Sequence, residues 1–219
     1  MTLSQKLLLA ISRPLLNILF SWKVEGRENI PLTGPLILIT NHVHLLDPFF
    51  LIFSSPRWIN FMAKEELFSS PFLRPWLRWA GSLPIRREGK ITDKQKMLKS
   101  ARDALEKGLI LGMFPEGGRN RDGKLSKGKP GSAVIASKTN VPILPVGIVG
   151  TDKIEGISWL WKRPRIAVNI GKPFKLPPNQ SKMSKSQMQL LTAQLMREIA
   201  ALLPPEYQGD YKNHEDREG

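Results

Sequence analysis

Pro35-Leu36-Ile37-Leu38-Ile39-Thr40 is a β-branched, apolar run of strand length, and it leads straight into Asn41-His42-Val43-His44-Leu45-Leu46-Asp47-Pro48. This junction constrains the fold more than any other stretch. Asp47 is a good helix N-cap and Pro48 suits the first helical position, so a helix is expected to begin there. The histidines and the carboxylate then occupy the turn at a strand's carboxyl end, where open α/β sheets place their ligands. A neutral imidazole in that turn can take a proton from a hydroxyl, while a nearby carboxylate fixes its tautomer and steadies the imidazolium. Taken alone, the stretch fits equally well an aspartate that only caps a helix and histidines that only fill a turn.

The strand-then-helix pattern recurs along the chain. Strands are expected at Leu36–Thr40, Trp58–Met62, Ser82–Ile85, Leu109–Phe114, Ile143–Val149 and Arg165–Ile170. Thr92 to Lys107 reads as a helix with a capping box in Thr92 and Gln95, an apolar stripe through Leu98, Ala101 and Leu105, and a stop at Gly108. Gly131–Thr139 is a shorter helix, and a last one runs from Ser184 to Leu203 before Pro204-Pro205. This alternation predicts an α/β fold with a central, largely parallel or mixed sheet flanked by helices. The 219 residues are expected to form one such domain over 25–205, with a solvated polar tail at 206–219 that holds His214.

Ahead of that domain, residues 3–22 are mostly apolar, with Lys6, Arg13, Asn17 and Ser21 at spacings of seven, four and four. That places a narrow polar stripe on an amphipathic helix. Arg13-Pro14 interrupts the apolar run short of the ~20 residues a spanning helix needs. Residues 1–24 are therefore expected to be an interfacial anchor helix, kinked at Pro14. Two further stretches mix aromatic and basic residues as membrane interfaces do: Phe72, Trp76, Leu77 and Trp79 with Arg74 and Arg78, and Trp159 and Trp161 before Lys162-Arg163-Pro164-Arg165.

Charge narrows the partners. The chain carries 33 basic and 19 acidic residues, a formal +14, which calls for a polyanionic partner. Without zinc-finger spacing or an aromatic RNA-binding signature, nucleic acid is not expected, and an anionic membrane surface with a phosphate-bearing substrate is. With no cysteine, disulfides, thiolate metal sites and cysteine nucleophiles are excluded, and three histidines in all make a zinc site unexpected.

Three more blocks follow the first: Gly81-Ser82-Leu83-Pro84-Ile85-Arg86, then Phe114-Pro115-Glu116-Gly117-Gly118-Arg119, then Val141-Pro142-Ile143-Leu144-Pro145-Val146. Read chemically, Gly117-Gly118 lets the backbone approach a ligand, Arg119 can fork onto phosphate oxygens, and Lys127-Gly128-Lys129-Pro130-Gly131 opens a helix whose N-terminus favours anions. In isolation the glycines are equally a turn, and Arg119 to Gly123 equally a charged loop. In order and spacing the four blocks resemble those of the glycerolipid acyltransferases typified by lysophosphatidic acid acyltransferase, over about Gly26 to Phe174. The family's signature, a His and an Asp separated by four residues, is matched by His42 and Asp47. Where the family often carries Ser and Thr, this chain has His44 and Gly118.

The resemblance implies transfer of a fatty acyl group from acyl-CoA or acyl carrier protein to the free hydroxyl of 1-acylglycerol-3-phosphate, giving phosphatidic acid in phospholipid synthesis. His42 would be the general base and Asp47 its orienter. Arg86, Glu116, Gly117, Arg119 and Lys129 would hold the acceptor, Arg87 would be a solvated neighbour, and Val141–Val146 would shape the site near the acyl donor. Neither cofactor nor metal is implied beyond the thioester co-substrate. The absence of a Gly-x-Ser-x-Gly elbow fits direct attack. The protein is expected at the cytoplasmic face of a membrane, peripheral or monotopic. The alternatives are another lysophospholipid or lipid alcohol as acceptor, or a non-catalytic module that binds anionic membranes.

Overall fold

In the computed structural model, which describes residues 2–86, 91–157, 159–177 and 183–212, the chain runs α1 (Leu3–Leu19), β1 (Ser21–Glu25), β2 (Leu36–Thr40), α2 (Asp47–Ser54), β3 (Ile59–Lys64), α3 (Leu73–Trp79), β4 (Leu83–Ile85), α4 (Ile91–Glu106), β5 (Ile110–Met113), α5 (Pro130–Thr139), β6 (Ile143–Val149), α6 (Trp159–Lys162), β7 (Arg165–Ile170) and α7 (Lys185–Ala200). The strands form one seven-stranded sheet in the order β1-β7-β6-β2-β5-β3-β4. Every neighbouring pair is parallel except β6 and β7. The sheet is thus mixed, and β2 lies at its centre between β5 and β6.

Position in the sheet explains the sequence of β2. All five of its residues are buried, because helices cover both faces, as parallel strands require. Leu36 and Leu38 pack on one side with Phe50, Leu51 and Phe53 of α2. Ile37 and Ile39 pack on the other with Ala101 and Leu105 of α4, Ile135 of α5, and Leu195 and Ile199 of α7. Each such aliphatic side chain contributes about 1.5–3 kcal/mol by leaving water. At the amino end of the strands, Arg57 donates to the carbonyls of Pro31, Gly34 and Gly108 and ties the loops there. The opposite, carboxyl edge is left for His42 and the loops after β5 and β6.

Three expectations are corrected, two of them at the ends of the chain. The N-terminal helix runs through Pro14 but ends at Leu19, and Ser21–Glu25 is an edge strand paired with β7. The expected anchor, 1–24, therefore includes part of the sheet; Ser21 belongs to that strand, and the side chain of Arg13 lies outside the description. Nor is the segment after Pro204 wholly a solvated tail. Residues 205–211 form two short 3-10 turns, and Tyr207 and Tyr211 pack on the hydrophobic core; His214 and the rest of that tail lie beyond the described residues. In α4, the helix begins at Ile91, so Thr92 is inside its first turn. The capping box expected there is found instead on α1, from Thr2 and Gln5, and on α7, from Ser184 and Gln187.

α1 has two unlike faces. Leu9 is buried, and Leu8, Leu16 and Leu19 pack beside it on the core. Leu3, Leu7, Ile11, Leu15 and Ile18 are 52–83% exposed and follow one another every three or four residues, which puts them on a common side. Near its start the Trp79 indole N–H donates to Ser4 Oγ, which brings Trp79 and α3 alongside; Phe72, just before α3, is 90% exposed. Near its end Arg163 donates to the Asn17 carbonyl, and Trp161 is 88% exposed. The two aromatic stretches are thus split between jobs. Phe72 and Trp161 face outward, whereas Trp76 packs on Phe49 and Trp159 stacks on Phe20. Among the described residues, no helix is long and apolar enough to cross a membrane.

Candidate active site

The turn after β2 is built around one carboxylate. Asp47 is fully buried. Its Oδ2 accepts from the backbone N–H of Val43 at 2.7 Å and of His44 at 2.8 Å, and lies 2.9 Å from His42 Nδ1. Asp47 is the first residue of α2 and does not cap it; Leu46 holds the cap position without a side-chain bond. The carboxylate caps the loop instead, folding residues 42–44 back onto the helix start. Because Asp47 accepts, the imidazole proton belongs on Nδ1, and Nε2 keeps a free lone pair. His42 is therefore oriented as a base.

The ring itself is held by aromatic packing. Phe114, which follows β5, stacks on the His42 imidazole with centroids 3.9 Å apart and planes at 20°. Phe61 of β3 continues the stack on Phe114 at 5.3 Å. Gly112 makes room for this, since a Cβ there would meet the Phe61 ring. The His42 backbone is gripped from the same loop: its N–H donates to Glu116 Oε1 at 2.7 Å, and its carbonyl accepts from Asn120 N–H at 2.8 Å. One residue earlier, the Asn41 side chain exchanges two 2.8 Å bonds with the Ile148 backbone and locks the end of β2 to β6.

Glu116, which the family resemblance implied would help hold the acceptor, is bonded within the protein through both oxygens. It is 5% exposed, and its second oxygen accepts the Ser126 N–H at 2.8 Å and hydroxyl at 2.6 Å. These bonds make Glu116 a brace between the loop that carries His42 and the segment that carries Ser126. Burial pushes its carboxyl above the usual range, while the bonds from Ser126 and His42 pull it down. Gly117 adopts φ +70°, and a Cβ there would collide with the Lys129 side chain, which runs across it. Lys129 in turn donates its backbone N–H to Pro115 and opens α5, with its side chain exposed.

Beside this framework lies a cleft of about 220 Å³ lined by Val43, His44, Arg119, Arg121, Asp152, Ile154 and Glu155. Among the described residues neither arginine pairs with a carboxylate. His44 accepts the Leu46 N–H on Nδ1 at 3.3 Å. Its pKa is lowered, chiefly by burial and further by Arg119, His42 and Arg121, against the opposing pull of Asp47. It lines the cleft as a neutral ring.

The structure brings together His42, Asp47, Glu116, Gly117, Arg119 and Lys129, and sets Arg86 apart. Arg86 directly follows β4, which lies three strands from β2 in the sheet, or roughly 14 Å at the usual strand spacing. There it forms an ion pair with Glu65; Arg87 lies outside the described residues. Val141–Val146 contributes buried positions of β6 next to β2. Sequence reasoning missed Asn41, Phe61, Asn120, Ser126 and Asp152. Only Phe114 carried a signal, its place at the head of the Phe114–Arg119 block.

Comparison with known proteins accords with this geometry. The family described as Acyltransferase matches residues 21–149. The chain is 31% identical over 154 residues to a chloroplastic 1-acyl-sn-glycerol-3-phosphate acyltransferase of Arabidopsis thaliana, covering 69% of this chain and 43% of that protein. It is 30% identical over 167 residues to a 1-acyl-sn-glycerol-3-phosphate acyltransferase of Streptococcus pneumoniae, covering 73% and 60%. The crystal structure of the 1-acyl-sn-glycerophosphate acyltransferase PlsC of Thermotoga maritima superposes with a TM-score of 0.64 at 26% identity, covering 87% of this chain and 76% of that one. The chain spans about half the length of several curated relatives it matches.

Proposed function

The chain belongs to the acyltransferase family, and from that premise we propose that it transfers a fatty acyl group from acyl-CoA or acyl carrier protein to the free hydroxyl of 1-acylglycerol-3-phosphate, forming phosphatidic acid. The observation that carries this reading is the 2.9 Å contact between His42 Nδ1 and the buried Asp47 carboxylate. His42 Nε2 takes the proton from the acceptor hydroxyl as its oxygen attacks the thioester carbonyl. Asp47 stabilises the imidazolium that results. When the tetrahedral adduct collapses, the C–S bond breaks and the imidazolium returns its proton to the departing thiolate. No protein nucleophile enters, in keeping with a chain that has no cysteine.

The acceptor's phosphate fits the cleft beside His44, where Arg119 and Arg121 offer forked donors. Lys129 adds an exposed cation at the start of α5. Arg86 is left out of this site because Glu65 holds it three strands away. A peripheral position on the anionic cytoplasmic face of a membrane completes the reading, supported by the +14 charge and the outward apolar side of α1. The test is thiol release from a long-chain acyl-CoA by purified protein with 1-acylglycerol-3-phosphate. Release that depends on the acceptor and yields phosphatidic acid is expected; thiol release indifferent to the acceptor would sink the assignment.

A further inference from the structure

Asp152 is a carboxylate that lines the same cleft as Arg119 and Arg121 and yet pairs with neither of them. Its side chain is fully engaged elsewhere. Oδ1 accepts the Tyr207 hydroxyl at 2.9 Å, and Oδ2 lies 3.1 Å from Lys153 Nζ. Tyr207 comes from the C-terminal turn and is itself fixed in place. Its carbonyl accepts the Leu125 N–H at 2.8 Å, and its ring packs beside Gly123, where a Cβ would approach it to 3.2 Å. Two residues on, Gly209 at φ +56° lies so close to the Leu125 carbonyl that a Cβ would strike it. The C-terminal turn thus touches both the loop after β5, which carries the arginines, and the turn after β6, which carries Asp152.

We propose that Tyr207 is a positioning residue that holds Asp152 away from Arg119 and Arg121, so that these two guanidinium groups stay free for the acceptor's phosphate. This rests on the reading of the cleft as the acceptor site. A carboxylate that can reach two guanidinium groups across one small cleft competes with an anionic ligand for them. The Tyr207 hydroxyl supplies the restraint. Burial and the neighbouring Asp152 carboxylate raise its pKa to about 12, so it remains a donor throughout the physiological range. Glu155, also on the cleft, is exposed.

Steady-state kinetics of the full chain, varying 1-acylglycerol-3-phosphate and acyl-CoA separately, test this. Tyr207→Phe keeps the ring and removes the hydroxyl. It is expected to raise the acceptor KM about threefold to tenfold while kcat and the donor KM stay within about twofold. The deciding variant adds Asp152→Asn to Tyr207→Phe: with the Asp152 charge gone, the released side chain no longer competes, and the acceptor KM returns to within about twofold of wild type. An unchanged acceptor KM in Tyr207→Phe overturns the proposal. So does a double variant as impaired as the single one, since Tyr207 would then act by packing alone. Arg119→Ala separates the two readings. If it leaves the acceptor KM unaltered, the cleft is not the phosphate site, whatever Tyr207 does.

Discussion

Two histidines two residues apart hold different bonds, and those bonds assign their roles. His42 presents Nδ1 to Asp47 and leaves Nε2 free, whereas His44 spends Nδ1 on the Leu46 N–H. His42→Ala is therefore expected to lower kcat by roughly 10²–10⁴-fold, the usual worth of a general base, while His44→Ser keeps substantial activity. Near wild-type kcat in folded His42→Ala, with His44→Ser dead, would reverse the assignment. His44 also has a consequence for stability. Its folded pKa lies below its ordinary value, so the unfolded chain binds the extra proton first. Its contribution is complete above the unfolded pKa of about 6.5 and is lost as pH falls through the lower, folded value. Melting temperatures measured downward from about pH 7.5 should thus drop less in His44→Ser than in wild type. The His42–Asp47 pair was legible in the sequence because its spacing is local and its chemistry is written in the residue types. The bracing contacts of Glu116, Ser126 and Asn41 were not, because each acts through a partner that only the fold brings near. Glu116 meets His42 across 74 residues and Asn41 meets Ile148 across 107.

At the scale of whole elements, the strands were read well because continuous apolar runs have one simple explanation, burial between two layers. β6 and β7 match their expected limits residue for residue. β1 was missed because an edge strand with alternate residues exposed carries no such run, and Trp22 and Val24 were read as the end of a helix. That difference changes what can be done to α1. Removing residues 1–22 would take Leu9 and Phe20 from the core and two of the five residues of β1 from the sheet, and the domain is expected to lose stability. The outward face is better tested alone. Leu7→Glu with Ile11→Glu replaces two exposed side chains, at 60% and 62% exposure, and is expected to leave the melting temperature nearly unchanged. Vesicle co-sedimentation should fall sharply, since charged groups cannot enter the acyl boundary. Undiminished sedimentation of the folded double variant would show that this face does not meet lipid.

For the molecule as a whole, the proposed membrane position would rest on two attractions that have different ranges. The apolar face of α1, with Phe72 and Trp161 at its ends, acts only on contact. The +14 charge acts at a distance, over a Debye length of about 10 Å in 0.1 M salt. The ion pairs among the described residues do not reduce that excess, since each joins one charge of either sign: Lys23–Glu25, Lys64–Glu66 and Lys153–Asp152 join near neighbours, and Arg86–Glu65 lies at the far edge of the sheet. The two attractions should therefore come apart under salt. Raising ionic strength from about 0.05 to 0.5 M is expected to weaken binding to vesicles rich in anionic lipid, where basic residues near the surface each contribute about 1 kcal/mol. Binding to neutral vesicles rests on α1 alone and should be weak but nearly indifferent to salt. The Leu7→Glu, Ile11→Glu variant should then lose the neutral binding and keep a salt-sensitive remnant on anionic vesicles. Equal salt sensitivity on both kinds of vesicle would mean that the basic surface and the apolar face do not act separately, and binding unaffected by salt on anionic vesicles would leave the excess charge to the phosphate-bearing substrate alone.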